Sequence, residues 1–287
     1  MRRNILLSAV ALCSLTVAAL GQGGQTPATP PQPAKAAAPI DLTGTWVSII
    51  TEDWRWRMVT PAKGDYVTLP INADAKKVAD TWDPAKDEAA GEQCKSYGAP
   101  AIMRVPGRLR IWWQDDNTLK IETDAGTQTR LFHFGDWKSP GGDATWQGDS
   151  VAAWETPRAQ RGAGVDTNIG GVPAGPEAAG GGRAAAPAAP GGRAGRASAP
   201  ARFGSLKVTT THMRSGYLRK NGVPYSGDAV LTEYWDLMKE PNGAQWVVIT
   251  SLLDDPKYLT MQFVTSPNFR KEADGSKWDP SPCSSRW

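Results

Sequence analysis

Short segments in which apolar and polar residues alternate make up most of the chain outside its low-complexity parts. The clearest series begins at Arg108, where RLRIWWQ, TLKIETD and TQTRLFHF follow one another with turns at 115–117 and 125–126. In the first of them Leu109 and Ile111 share a face, and polar residues take most of the opposite face. A period of two is typical of strands in a sheet that is buried on one side. These segments predict an antiparallel meander.

The same pattern recurs on both sides of this meander. Strands are predicted at 43–51, 54–59 and 145–154, and later at SLKVTTTHM, AVLTEYWDLM, AQWVVITSLL and YLTMQFVTS. The total is about nine or ten strands, and the one clear helix signal is ADAKKVAD with Asn72 as its N-cap. Because closure removes exposed strand edges, we expect an all-β fold, with the antiparallel meander forming a barrel or a strongly bent sheet.

Two segments lack the large apolar residues that a folded core needs. Residues 22–39 are rich in Pro, Ala, Gln and Gly, and residues 157–203 are rich in Ala, Gly, Pro and Arg. Such segments cannot bury enough apolar surface to offset the entropy lost on ordering. We therefore expect a disordered linker at 22–39 and a single β domain at 40–287 that is interrupted by a disordered insertion at 157–203.

Residues 1–21 have the features of a cleaved secretion signal. Two arginines precede an apolar run from residue 5 to residue 20, and 19–21 form a cleavage site of the small-x-small type. The run is too short to span a bilayer, so no transmembrane span is expected in the mature chain. The signal predicts a periplasmic or extracellular protein.

Three cysteines occur in the chain, and Cys13 is removed with the signal. Cys94 and Cys283 remain in an oxidising compartment, where disulfides persist, so we expect them to pair. The alternative is two unrelated buried thiols. No metal site is predicted, because no CxxC motif or Cys/His cluster surrounds either residue.

Net charge narrows the range of partners. The chain carries +3 overall, but two of the arginines belong to the predicted signal and the 157–203 segment holds six arginines against two carboxylates. The predicted folded part is therefore slightly acidic, with a net charge of −3. Without a basic stripe to follow phosphates, nucleic acid is not an expected partner.

Several motifs resemble those of a family of secreted bacterial proteins that has no assigned activity. They are DLTGTW at 41–46, CKSYGAPAIM from Cys94, WQGDSVAAWE from Trp146, and the later LKVTTT, GVPYS, LTEY and DPKYLT. The resemblance covers most of residues 41–283, apart from the insertion. It implies a distant relation to lipocalin-type β-barrels and a cysteine near each of positions 94 and 283, and it implies no catalytic residues.

The densest group of candidate residues is TEDWRWRM, around Trp54, Arg55, Trp56 and Arg57. In a strand the two tryptophans would share one face and the two arginines the other. Indoles at a barrel mouth would offer flat walls to an apolar ligand, whereas the arginines would suit a carboxylate or a sulfate. The structural alternative is an edge strand with core tryptophans and ion-paired arginines.

Only two histidines occur, His133 and His212. Counting by twos from Leu206, we expect His212 to point into the barrel, where it could act as a general base, as a hydrogen-bond partner of a ligand or as a metal ligand. The face of His133 is left open, because Phe132 and Phe134 are also apolar. The structural alternative for both is a core histidine that is satisfied by one backbone contact.

No nucleophile elbow, HExxH motif, P-loop or dinucleotide fingerprint is found, and no cofactor is predicted. The first hypothesis is binding of a small apolar or amphipathic molecule in a tryptophan-lined barrel cavity. Its residues would be Trp54, Arg55, Trp56, Arg57, His133 and His212. The alternatives are a hydrolase or isomerase that uses His212 with a carboxylate, and a structural or partner-binding protein of the envelope.

Overall fold

The computed structural model describes residues 32–155 and 205–286. The strands are β1 Gly44–Ile49, β2 Arg108–Trp113, β3 Thr118–Thr123, β4 Thr129–Phe134, β5 Asp149–Glu155, β6 Ser205–Thr211, β7 Gly216–Arg219, β8 Val223–Tyr225, β9 Val230–Lys239, β10 Gln245–Asp254, β11 Phe263–Thr265 and β12 Asn268–Lys271. The helices are α1 Ala34–Ala37, α2 Trp54–Arg57, α3 Ala73–Asp80, α4 Pro84–Ala89 and α5 Ala99–Ile102, with a 3-10 helix at Gln93–Tyr97.

Nine of the strands form a closed barrel in the order β1-β2-β3-β4-β5-β6-β9-β10-β12, with β12 hydrogen-bonded back to β1. The barrel confirms the predicted closure. The expectation of a purely antiparallel meander is wrong, since β4 and β5 are parallel. Residues 135–148 carry the chain back along the barrel before β5 begins, which gives the two strands the same direction. Strand β11 pairs with β10, and β7 and β8 form a separate hairpin.

Alternation places large apolar side chains inside the barrel. The predicted inward residues Leu109, Ile111, Leu119 and Ile121 are all buried, which confirms the register of the meander. Other fully buried members of this core are Trp46, Phe132, Leu206, Trp235, Ile249 and Phe269. Among the residues that the structure describes, side chains therefore fill the interior of the barrel as a packed core.

One ion pair lies within this core. Arg130 of β4 donates to Glu233 of β9 through Nη1 to Oε1 at 2.9 Å and through Nη2 to Oε2 at 2.6 Å, and both side chains are buried. Arg130 Nη2 also donates to the hydroxyl of Thr210 at 3.2 Å. The Thr210 hydroxyl in turn lies 2.8 Å from the hydroxyl of Ser150. The charged pair is thus part of a polar network that joins four strands.

The segment before β2 is more helical than its sequence suggests. Helix α3 and its cap are confirmed, because the side chain of Asn72 accepts from the backbone N–H groups of Asp74 and Ala75. Helix α4, the 3-10 helix and α5 were not predicted; each is too short to show a clear apolar period. Cys94, in the 3-10 helix, forms a disulfide with Cys283, with Cα atoms 5.1 Å apart, as expected.

The predicted signal peptide at 1–21 and insertion at 157–203 lie outside the described residues. The predicted linker at 22–39 also lies outside the described residues as far as residue 31. Its last part contains α1, where the carbonyl of Ala34 accepts from the indole of Trp154 at 2.8 Å. Strands β5 and β6, on either side of the insertion, pair in one sheet. None of the described helices is long and apolar enough to cross a bilayer.

Candidate functional site: an arginine-lined pocket

The segment predicted as a strand at 54–59 is instead the single helical turn α2. Asp53 has a left-handed backbone (φ 50°), and its carbonyl accepts from the N–H groups of Trp56 and Arg57. The carboxylates of Glu52 and Asp53 both bind Arg104, and these distant contacts override the local preference for a strand. The expectation that the two tryptophans share one face is therefore wrong.

The turn brings part of the predicted cluster into a pocket. Trp54 is 68% exposed, and Arg55 is also largely exposed, with Nη2 4.0 Å from Asp65. Trp56 and Arg57 instead line a pocket of about 30 Å³, which has room for about two water-sized groups. The pocket lies between α2, α5 and β7.

The pocket lining is cationic. None of its nine described lining residues carries a carboxylate; they are Trp56, Arg57, Ser96, Ala101, Arg104, Val105, Leu218, Arg219 and Lys220. We call this group the arginine pocket. Its four cationic side chains are each less than a tenth exposed. Cations so deeply buried are normally paired with an opposite charge.

Arg57 has few hydrogen-bond partners for a buried guanidinium group. Its Nε donates to the carbonyl of Arg104 at 2.8 Å, while Nη1 and Nη2 are buried with no hydrogen-bond partner among the described residues. Burial lowers the pKa of Arg57 to about 10, and the neighbouring charge of Arg104 acts in the same direction. The site thus holds a cation whose charged form is disfavoured by its surroundings.

The charge of Arg104 is well balanced. Its Nη1 lies 3.1 Å from Glu52 and its Nη2 lies 2.7 Å from Asp53. Two carboxylates therefore occupy both terminal nitrogens of this guanidinium group. Arg104 repels Arg57 and orients it through its backbone carbonyl, but it has few donors left for a ligand.

Arg219 binds neutral acceptors. Nη1 donates to the carbonyl of Val67 at 3.1 Å and Nη2 to the hydroxyl of Thr68 at 3.0 Å, while the guanidinium carbon lies 5.1 Å from the centre of the Trp56 ring. Burial lowers the pKa of Arg219 to about 10, and the charge of Arg104 contributes. Arg219 supplies positive potential to the arginine pocket while its donors are mostly used.

Lys220 connects the arginine pocket to the disulfide. Its Nζ donates to the hydroxyl of Tyr97 at 2.7 Å, and the same hydroxyl accepts from the backbone N–H of Ser284 at 3.3 Å. Tyr97 and Ser284 lie close in sequence to the two paired cysteines. Burial lowers the pKa of Lys220 to about 8.

The two histidines lie elsewhere, and neither lines the arginine pocket. The prediction that His212 points inward is wrong: its backbone is left-handed (φ 54°), which ends the alternation of β6, and its side chain is 37% exposed. Its Nδ1 is 2.9 Å from Oδ2 of Asp149, which also accepts from Ser139. His133 stacks on Trp137 with ring centres 4.1 Å apart, and burial lowers its pKa.

Three cationic residues of the arginine pocket were not singled out from the sequence: Arg104, Arg219 and Lys220. The available signal was a charged residue within an apolar run, as where Arg104 follows APAIM. Four carboxylates that could be considered for acid-base chemistry are engaged in ion pairs: Glu52 and Asp53 with Arg104, Glu155 with Lys207, and Glu233 with Arg130. Among the described residues, no group of three or more His, Cys, Asp or Glu is placed to hold a metal ion.

Comparison with protein-family models, with curated proteins and with solved structures gave no match to this chain. Of the resemblance drawn from the sequence motifs, the structure supports only a nine-stranded β-barrel. Functional interpretation therefore depends on the geometry of the sites.

Proposed function

We propose that this protein binds a small anion, or the anionic group of a larger molecule, in the arginine pocket. The observation that carries the proposal is Arg57, which is 3% exposed and has two terminal nitrogens without an acceptor among the described residues. A bound anion would supply both the missing acceptors and the missing negative charge. Arginine suits this role because its planar donors match oxyanions.

Energetics favour binding over a purely structural role. A buried donor without a partner costs about 1–3 kcal/mol, and more when it is charged. Arg104 avoids this cost through Glu52 and Asp53, whereas Arg57 has only one neutral acceptor, the carbonyl of Arg104. An anion at Arg57 would also relieve the repulsion between the two guanidinium groups.

The proposal develops one of the sequence-based interpretations of the TEDWRWRM segment. Arginines suited to a carboxylate or sulfate were expected there, and Arg57 meets that description. An apolar ligand held between Trp54 and Trp56 receives less support, because Trp54 is exposed and the barrel interior is packed with side chains. The predicted secretion signal would place this binding in the periplasm or outside the cell.

Anion titrations of two neighbouring variants test the proposal. Trp56 adjoins the arginine pocket, so its fluorescence should change saturably when acetate, sulfate, phosphate or chloride is added at constant ionic strength. We expect Arg57→Gln to abolish the saturable change. Arg55→Gln, two residues away on the exposed side of the same turn, should retain it. Equal responses in both variants would contradict the proposal.

The contact between His212 and Asp149 supports a second candidate function, a hydrolase or isomerase. A carboxylate on Nδ1 fixes the orientation of the ring and leaves Nε2 available to accept a proton. If this pair is catalytic, His212→Gln and Asp149→Asn should slow hydrolysis of an activated ester to a similar extent. His133→Gln is the matched control, and an equal effect of that substitution would indicate nonspecific catalysis by surface imidazoles.

A further inference from the structure

We infer that the group bound in the arginine pocket is a carboxylate, held end-on by Nη1 and Nη2 of Arg57. This inference rests on the proposed function and narrows it to one class of ligand. It follows from which donors of the arginine pocket are free and which are used.

The donors of Arg57 select the geometry. A guanidinium can pair with an oxyanion side-on, through Nε and one terminal nitrogen, or end-on, through both terminal nitrogens. The Nε of Arg57 is already bound to the carbonyl of Arg104 at 2.8 Å, so the side-on mode is blocked. The end-on pair remains, and two parallel N–H···O bonds from it match the two oxygens of one carboxylate.

The other two arginines of the arginine pocket have few donors to offer to further oxygens. Arg104 uses both terminal nitrogens on Glu52 and Asp53, and Arg219 uses its own on Val67 and Thr68. Sulfate and phosphate carry four oxygens and would bring two of them into the pocket without comparable partners. Desolvating those oxygens would cost free energy, because buried acceptors also need hydrogen bonds.

The rest of the lining agrees with a carboxylic acid that has a short carbon chain. Ala101, Val105 and Leu218 supply an apolar wall beside the cations. A methyl or methylene group next to a carboxylate can contact this wall, whereas a symmetric inorganic oxyanion would place oxygen there.

The test compares acetate, propionate, chloride, sulfate and phosphate at constant ionic strength, using calorimetry and tryptophan fluorescence. We expect acetate and propionate to bind the wild-type protein at least about tenfold more tightly than sulfate or phosphate, which corresponds to about 1.4 kcal/mol. Arg57→Lys keeps the positive charge but loses the planar pair of donors, so it should lose this preference. Arg55→Lys is the matched control and should keep it.

The outcomes separate the two proposals. Tighter binding of sulfate, phosphate or chloride that depends on Arg57 would overturn the carboxylate assignment and leave the anion site in place. A preference for acetate and propionate that is unchanged in Arg57→Lys would also overturn the carboxylate assignment alone. No saturable binding of any of the five anions, or binding that is unchanged in Arg57→Gln, would overturn both proposals. If Arg57→Lys does not fold, nitrogen NMR of the wild-type arginine side chains decides: acetate should shift the Nη signals of Arg57, and an absence of shift would overturn the assignment.

Discussion

Two arginines of this protein are buried to a similar extent in very different surroundings. Arg130, inside the barrel, has a bidentate contact with Glu233 and a further bond to Thr210. Arg57, in the arginine pocket, has one backbone carbonyl and no carboxylate on its terminal nitrogens. The charge of Arg130 is balanced by a carboxylate, although its Nε has no hydrogen-bond partner among the described residues; neither terminal nitrogen of Arg57 has a partner there. Burial alone therefore does not distinguish these two arginines, whereas the presence or absence of a carboxylate on the terminal nitrogens does.

The elements that hold these residues also differ. Arg130 and Glu233 lie on strands of the closed barrel, where neighbours on both sides fix the backbone. Arg57 lies on a four-residue helix, and its neighbours in the arginine pocket come from short helices and the β7 hairpin. An arginine that is paired with a carboxylate on barrel strands favours a role in folding. Arginine donors without acceptors, on short elements outside the barrel strands, favour recognition of a ligand.

The largest effect is expected from breaking the matched pair. Glu233→Gln removes the charge that balances Arg130 and leaves a buried guanidinium, so we expect a loss of about 3–5 kcal/mol in the free energy of unfolding. Urea denaturation measures this. The double variant Arg130→Met/Glu233→Leu leaves no buried charge and should recover most of the loss. A loss below about 1 kcal/mol for Glu233→Gln would show that the pair contributes little.

An intermediate effect is expected at Arg104. Its partners Glu52 and Asp53 are 29% and 22% exposed and can be hydrated when Arg104 is replaced. We therefore expect Arg104→Met to lower the free energy of unfolding by about 1–3 kcal/mol, less than Glu233→Gln. The same denaturation assay compares the two variants. A larger loss of stability for Arg104→Met than for Glu233→Gln would show that the ion pairs of Arg104 contribute more to stability than the buried pair inside the barrel.

The unmatched arginine should matter least for stability. Arg57→Met loses one hydrogen bond, but it also removes an unpaired buried charge that Arg104 repels. We expect these effects to offset each other to within about 1 kcal/mol in the absence of added anions. The same variant should lose the stabilisation that acetate gives to the wild-type protein, as measured by melting temperature. A loss in the free energy of unfolding comparable with that of Glu233→Gln would show that Arg57 stabilises the fold as Arg130 does.

The barrel was largely predictable because period-two alternation is a local property of each strand. Leu109, Ile111 and Ile121 face inward as expected, and the turns between β2, β3 and β4 lie where Asp, Asn and Gly occur. The parallel pairing of β4 and β5 was not predictable, because it depends on the path of residues 135–148 between them. Nothing in the pattern of either strand records its direction.

The arginine pocket was predictable only in part. Trp56 and Arg57 were singled out because tryptophan and charged residues are concentrated in the segment TEDWRWRM. Their geometry, however, depends on Arg104, about fifty residues away. The pairing of Arg104 with Glu52 and Asp53 accompanies the helical turn. Likewise, His212 was misplaced because one left-handed residue ends the alternation that was used to orient it. Long-range ion pairs and single backbone reversals leave little trace in periodicity.

The last effect concerns pH and another buried cation, Lys220. Its pKa is lowered by burial to about 8 in the folded protein, from an ordinary value of 10.5 in the unfolded chain. Between pH 8 and pH 10 the unfolded state therefore binds more protons than the folded state, and the contribution of Lys220 to the free energy of unfolding rises with pH.

This contribution can be isolated by comparison with Lys220→Met. We expect urea midpoints measured between pH 7 and pH 10 to rise more steeply with pH in the wild-type protein than in Lys220→Met, because the variant has no amine to lose its proton. Above pH 10 the tyrosines act in the opposite direction, since burial raises the pKa of Tyr97 and of Tyr66, so the comparison ends there. Equal slopes would contradict the lowered pKa of Lys220 and would show that its burial does not contribute to the pH dependence of stability.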